Sequence, residues 1–158
     1  MNTQKSYTVK EALQALCRYC VYQDRCHQEV ERKLKDMNMI PEARALIISE
    51  LIKDDFLNEE RFALNYTRGK FNQKGWGRFK IKQELKRRQI SAYLIKKALQ
   101  QINDGEYLDK LSVLARKKYL QLGEDNSWAA KAKLKSHLQY KGFELNLIID
   151  ETNNLTKF

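Results

Sequence analysis

The sequence predicts an all-α protein built from three tandem three-helix repeats of helix-turn-helix character. Three observations lead there. Leu, Lys, Glu, Gln, Arg and Ala dominate, while one proline and six glycines in 158 residues are too few for an all-β chain of tight turns. Apolar residues recur at steps of three and four. One spacing also repeats along the chain: Ile81, Leu85, Ile90 and Ile95 are separated by 4, 5 and 5 residues, and so are Leu134, Leu138, Phe143 and Ile148. Trp76 and Trp128 precede these sets, and Val30, Leu34 and Met39 form a looser first copy. A short helix, a corner and a second helix match each set.

The elements follow in order. Thr8 caps a first helix, with Glu11 at capping-box spacing and Val9, Leu13, Leu16, Cys17 and Cys20 in one stripe. A second covers Cys26 to Met37, with Val30 and Leu34 inward. Pro41 opens a third, whose inner face is Leu46, Ile47, Leu51 and Ile48. Asn58 caps a fourth, with Glu59 and Glu60 favoured by the helix dipole and Phe62, Ala63 and Tyr66 inward. Asn72–Gly77 is expected to break the pattern before a fifth helix ending near Arg88. Ser91 caps a sixth, with Leu94, Ile95, Ala98 and Leu99 inward, and Asn103–Gly105 ends it. A seventh runs from Glu106 to Leu122. An eighth runs from the Ser127 cap to Gly142, and a ninth from Glu144 to Glu151, with Thr152–Phe158 expected to fray. The units so defined are residues 1–57, 58–104 and 105–158. Stacked, they would bury one continuous core.

Charge is concentrated in the middle. Residues 1–70 hold 12 Lys/Arg against 11 Asp/Glu, residues 71–105 hold 9 against 2, and residues 106–158 hold 9 against 7. Most of the net +10 therefore falls on one unit, which points to an anionic partner such as nucleic acid. On the fifth helix Ile81 and Leu85 share one face, while Lys80, Lys82, Lys86 and Arg87 fan over the other and Arg78 and Arg88 flank the stripe. Lys74, Lys96 and Lys97 adjoin it, and Arg68 and Lys70 extend the surface. The candidate nucleic-acid or filament-binding set is thus Arg68, Lys70, Lys74, Arg78, Lys80, Lys82, Lys86, Arg87, Lys96 and Lys97. Trp76 lies among these charges, where it could stack on a base; its copy Trp128 favours a core anchor instead. Arg61 is expected to cover the joint between units.

Other chemistry finds little support. Cys17, Cys20, Cys26 and His27 are possible zinc ligands, but the first pair falls in an apolar helical stripe, so packed thiols are expected and no metal. Gly75-Trp76-Gly77 is not a phosphate loop, and His27 and His137 have no nucleophile or acid arrangement beside them. No catalytic residue, cofactor or small-molecule substrate is expected. No apolar leader or transmembrane run appears, so a cytoplasmic location is expected.

The run Phe56-Leu57-Asn58-Glu59-Glu60-Arg61-Phe62-Ala63, with Tyr66 and Arg68, resembles the signature of the RecX family of bacterial regulators. So does Lys74 to Ile81, followed by Glu84-Leu85 and Ile90. Asn38 and Gln89 stand where the family often has glycine before its corners; Gly142 keeps it. The resemblance implies an elongated, curved array of three three-helix units without enzymatic activity. It implies binding to the RecA recombinase filament on single- or double-stranded DNA. It also implies restraint of recombinase and coprotease activity, and so an influence on DNA repair and the SOS response. The alternative from the residues alone is an independent helix-turn-helix DNA-binding protein. Its base-reading Arg, Asn or Gln should sit at one helix's N-terminal end.

Overall fold

The computed structural model describes residues 6–156. Among them nine helices follow one another: α1 (Val9–Tyr22), α2 (His27–Asp36), α3 (Pro41–Lys53), α4 (Glu59–Lys74), α5 (Arg78–Arg87), α6 (Ala92–Leu99), α7 (Asp104–Gln121), α8 (Trp128–Lys141) and α9 (Leu145–Leu155). The starts are written locally. Thr8 and Glu11 form a reciprocal capping box, and the side chains of Asn58, Ser91, Asn103 and Ser127 accept from first-turn N–H groups. Helix packing is concentrated within α1–α3, within α4–α6 and within α7–α9.

The same corner closes the second helix of each triplet. Asn38, Gln89 and Gly142 all take positive φ, at 58°, 61° and 98°. Their N–H groups donate to Lys35, Lys86 and Gln139, each at 2.9 Å, and the next residues, Met39, Ile90 and Phe143, donate to Leu34, Leu85 and Leu138. This paired pattern is the Schellman motif, which needs a left-handed residue but not a glycine. The buried Met39, Ile90 and Phe143 hold the two non-glycine corners in place.

The core is divided rather than continuous. Ala12, Leu16, Cys20, Val30, Leu34, Ile47 and Leu51 make a first core inside α1–α3. A second core runs through both later triplets, from Phe62, Ile81 and Leu85 to Leu134, Leu138 and Ile148, and takes in Cys26 from the first. The accessible surface of 10291 Å² is well above the roughly 8,300 Å² of a compact monomer of this mass, as small cores in a row require.

The two joints differ in chemistry. Between the second and third triplets the backbones touch: the Gly77 N–H donates to the Lys141 carbonyl at 2.8 Å and the Phe79 N–H to the Gly142 carbonyl at 3.0 Å. Tyr107 is buried beside this seam. It stacks on Phe71 and meets Phe143 at 5.1 Å, accepts from the Arg78 N–H and donates to Glu144 at 2.8 Å. Between the first and second triplets the joint is charged. Arg61 holds Asp24 at 2.9 Å, Asp55 at 3.1 Å and the carbonyls of Asp55 and Phe56, and Asn65 donates to Asp24.

Several further expectations need correction. Asn103–Gly105 begins α7 and does not end α6, because the Asn103 side chain accepts from the Gly105 and Glu106 N–H groups. Asn72–Lys74 is the last turn of α4 and not a break, because Phe71 is buried beneath it and Gly75, at φ 65°, ends the helix. α9 continues through Thr152 to Leu155, since Thr152 is buried and Leu155 packs on the second core; Lys157 and Phe158 lie outside the described residues. Leu46 and Val9 face outward; Ile47 and Leu51 hold the inner face of α3 as expected, and Ala12 takes the inward place on α1. Trp128 is 85% exposed and so anchors nothing, whereas Trp76 is half-buried.

A Cβ on Gly77 would fall 2.4 Å from the Gly142 backbone, where nothing flexible can yield. Gly77→Ala is therefore expected to cost about 2 kcal/mol or more, read from urea unfolding midpoints. In the same assay Gln89→Gly is expected to stabilise by about 0.5–1 kcal/mol, because it relieves a left-handed side-chain residue. A neutral Gly77→Ala would mean that the seam does not form.

Candidate functional site

Helix α5 carries two separate rows, one wholly cationic and one in which Glu84 stands between Lys80 and Arg88. Positions 78, 82 and 86 lie on one side of the buried Ile81–Leu85 stripe, and positions 80, 84 and 88 on the other. At 100° per residue the rows are about 160° apart. Lys80 therefore does not share a face with Lys82 and Lys86, contrary to the single fan expected from sequence. No acid occupies the first turn of α5, and Lys86 and Arg87 fill its last turn as Lys96 and Lys97 fill that of α6, where cations complement the helix dipole.

On the first side Arg78, Lys82 and Lys86 of α5 face Lys96 of α6 across a groove of about 810 Å³. Its floor is apolar, with Ala92, Ile95, Leu99 and Ile102, and Asp104 lies at one end. Arg78 is already engaged: it pairs with Asp104 at 2.6 Å and its guanidinium lies 4.0 Å over the Tyr107 ring. Lys82, Lys86 and Lys96 are exposed and meet no counter-ion among the described residues.

The second row belongs to an aromatic surface. The Lys80 ammonium lies 4.6 Å from the Trp76 ring centre and 4.2 Å from that of Tyr140 on α8. Lys70 lies 4.8 Å from Trp76 and 5.4 Å from Tyr66, and Arg88 covers Tyr66 at 4.9 Å. Lys74 is exposed nearby, its carbonyl accepting from the Lys141 ammonium. The remaining predicted residues are held by neighbours. Arg87 pairs with Glu84 at 3.3 Å, Lys97 with Glu60, and Arg68 donates to Gln101 at 2.9 Å. The ten candidates thus separate into a groove set, an aromatic set and a set tied to neighbours. Tyr140 was not legible as a site residue, because only the tertiary fold brings α8 to the Trp76 loop, and Tyr66 read only as an inward position of α4.

The thiols sit in the cores. Cys20 lies in the first and Cys26 in the second, and burial pushes both up to about 11. Among the described residues no three His, Cys, Asp or Glu side chains converge as a metal set. His27 instead faces Glu59 at 3.3 Å across the charged joint, where burial raises the Glu59 carboxyl. Nor is any described helix long and apolar enough to cross a membrane.

Comparison with known proteins places this architecture. Residues 58–99 match the second three-helix domain of RecX, and residues 105–150 match the third. The chain belongs to the RecX family. Relatives named regulatory protein RecX share 30% identity in Bacillus cytotoxicus and 28% in a Bacillus cereus strain, over 92% of this chain and 52% of theirs. The chain thus spans about half the length of the curated relatives it matches. The crystal structure of RecX from Lactobacillus salivarius superposes with a TM-score of 0.82 at 27% identity, covering 95% of this chain and 97% of that one. A further RecX crystal structure, at 21% identity and TM-score 0.77, shares the fold. The relatives are named as regulatory proteins and not as enzymes.

At neutral pH iodoacetamide is expected to leave Cys20 and Cys26 unmodified in the folded protein and to label all three cysteines in urea, as read by mass spectrometry. Rapid native labelling of either would show that the cores are open.

Proposed function

We propose that this protein binds the RecA recombinase filament on DNA and restrains its recombinase and coprotease activities, and through them DNA repair and the SOS response. Membership of the RecX family supports the reading. The observation that carries it is the groove whose three uncompensated lysines, Lys82, Lys86 and Lys96, surround an apolar floor. Lysines four residues apart on α5 stand about 6 Å apart along the helix and act as mobile point charges. Such a row suits acidic side chains or phosphates without selecting a base sequence. Ile95 and Ile102 are core residues and Leu99 packs against them, so the groove offers a rigid apolar base on which a protein side chain of the filament can rest between the lysines.

An independent sequence-reading role is less well supported. The exposed start of α6, the second helix of the turn in this unit, presents Ser91, Ala92 and Tyr93, with no Arg, Asn or Gln to read a base edge.

The test is RecA-catalysed ATP hydrolysis and strand exchange on single-stranded DNA, with substoichiometric amounts of this protein. Inhibition is expected. The combined reversal Lys82→Glu, Lys86→Glu and Lys96→Glu should raise the concentration needed for half-inhibition at least about tenfold. Arg87→Glu, already paired with Glu84, should change it by less than about threefold. No inhibition by the unaltered protein, together with tight binding to one duplex sequence, would favour the independent DNA-binding role.

A further inference from the structure

The face opposite the groove has a different composition. Tyr66 and Lys70 of α4, Trp76 of the connecting loop, Lys80 of α5 and Tyr140 of α8 form one row in which rings and cations alternate. Tyr66 and Trp76 meet edge to face, 6.4 Å apart. Tyr140 is 74% exposed, so its ring is open to a ligand. Beyond it, Lys118, Lys133 and His137 line a shallow depression of about 480 Å³. Burial, together with the Lys118 and Lys141 ammoniums, lowers the His137 pKa, the behaviour of an imidazole in a positive field. The row therefore crosses from the second triplet to the third, over the seam that keeps the two in fixed relation.

Alternating rings and cations are what an unpaired strand needs. Each base offers a face that stacks on any aromatic ring, and each phosphate takes an ammonium. A duplex cannot use the rings, because its bases are already stacked on one another. An acidic peptide would use the cations but would leave the exposed Tyr140 ring without a flat partner to stack on it. We propose that the Tyr66–Trp76–Lys80–Tyr140 row is a binding face for single-stranded nucleic acid, separate from the groove that takes the filament's protein. The inference rests on the reading of DNA as a partner and assigns that partner to one face of α5.

The experiment needs no recombinase. Trp76 and Trp128 are the only tryptophans, so in the Trp128→Phe protein all indole fluorescence comes from Trp76. Titration with an oligothymidylate of about 20 nucleotides is expected to quench it. Tyr140→Ala, which removes an exposed ring, should weaken binding at least about fivefold, the lower bound for one stacked base. Lys80→Gln should weaken it and flatten the dependence of log K on log salt by about 0.7, one phosphate on a single strand. The groove triple should change oligothymidylate affinity less than either row variant does. Circular dichroism of each variant checks that the fold is kept. The inference is overturned if Tyr140→Ala and Lys80→Gln proteins that keep their fold bind like the parent. It is also overturned if a duplex of equal length binds as tightly with the same sensitivity to Tyr140→Ala. Oligothymidylate binding without any inhibition of RecA would leave this face standing and remove the filament reading. Inhibition by a protein whose row variants bind oligothymidylate normally would do the reverse.

Discussion

Two backbone hydrogen bonds, from Gly77 to Lys141 and from Phe79 to Gly142, hold α5 against the end of α8, and the functional surfaces depend on that hold. Backbones come this close only where no Cβ intervenes, and each glycine faces the other segment: a Cβ on Gly142 would lie 2.3 Å from Lys80. The approach lets Tyr107 fill the space between Phe71 and Phe143 with its hydroxyl satisfied on both sides, by the Arg78 N–H and Glu144. It also brings Tyr140 of α8 to Lys80 of α5, so one aromatic face spans two triplets. With α5 held at this angle, the groove lysines on one side and Lys80 on the other open in nearly opposite directions.

The first triplet is attached by other means. Its joint is a set of charged hydrogen bonds around Arg61, joined by the His27–Glu59 pair and by Gln28, which donates to the Arg87 carbonyl. Among the described buried residues, only Cys26 carries the second core across that boundary. Half-exposed ion pairs weaken as salt screens them, while a packed seam of backbone hydrogen bonds and buried rings does not. The two joints of one repeated architecture should thus respond differently to ionic strength, the second and third triplets moving as one body.

Much of the fold was legible because it is local. Thr8, Asn58, Ser91 and Ser127 each announce a helix start within four residues of chain, and the 4-and-5 spacing marks every corner. The corners at Asn38 and Gln89 kept their left-handed geometry without glycine, since Met39 and Ile90 behind them are buried. The failures lie where distant partners decide. Phe71 extends α4 by stacking on Tyr107, a residue 36 positions away that no local pattern singles out. The equivalence of Trp76 and Trp128 failed because only Trp76 has Tyr66, Lys70 and Lys80 around it. For the site, sequence marked the basic unit but not the division within it. Glu84, Glu60, Gln101 and Asp104 engage Arg87, Lys97, Arg68 and Arg78, and those pairings leave Lys82, Lys86 and Lys96 as the open charges of the groove.

The seam between α5 and α8 is a permanent part of the fold and holds the groove and the aromatic face in fixed relation. Amide hydrogen exchange at Gly77 and Phe79 tests it most directly. Both amides lie at the start of a helix, where N–H groups ordinarily lack intrahelical partners and exchange fast. With their bonds to Lys141 and Gly142 intact, they should exchange only through unfolding of the second core, as slowly as Leu85 and Leu138. Exchange at the rate of a free helix start would mean that the seam opens independently of the core and does not fix the two surfaces.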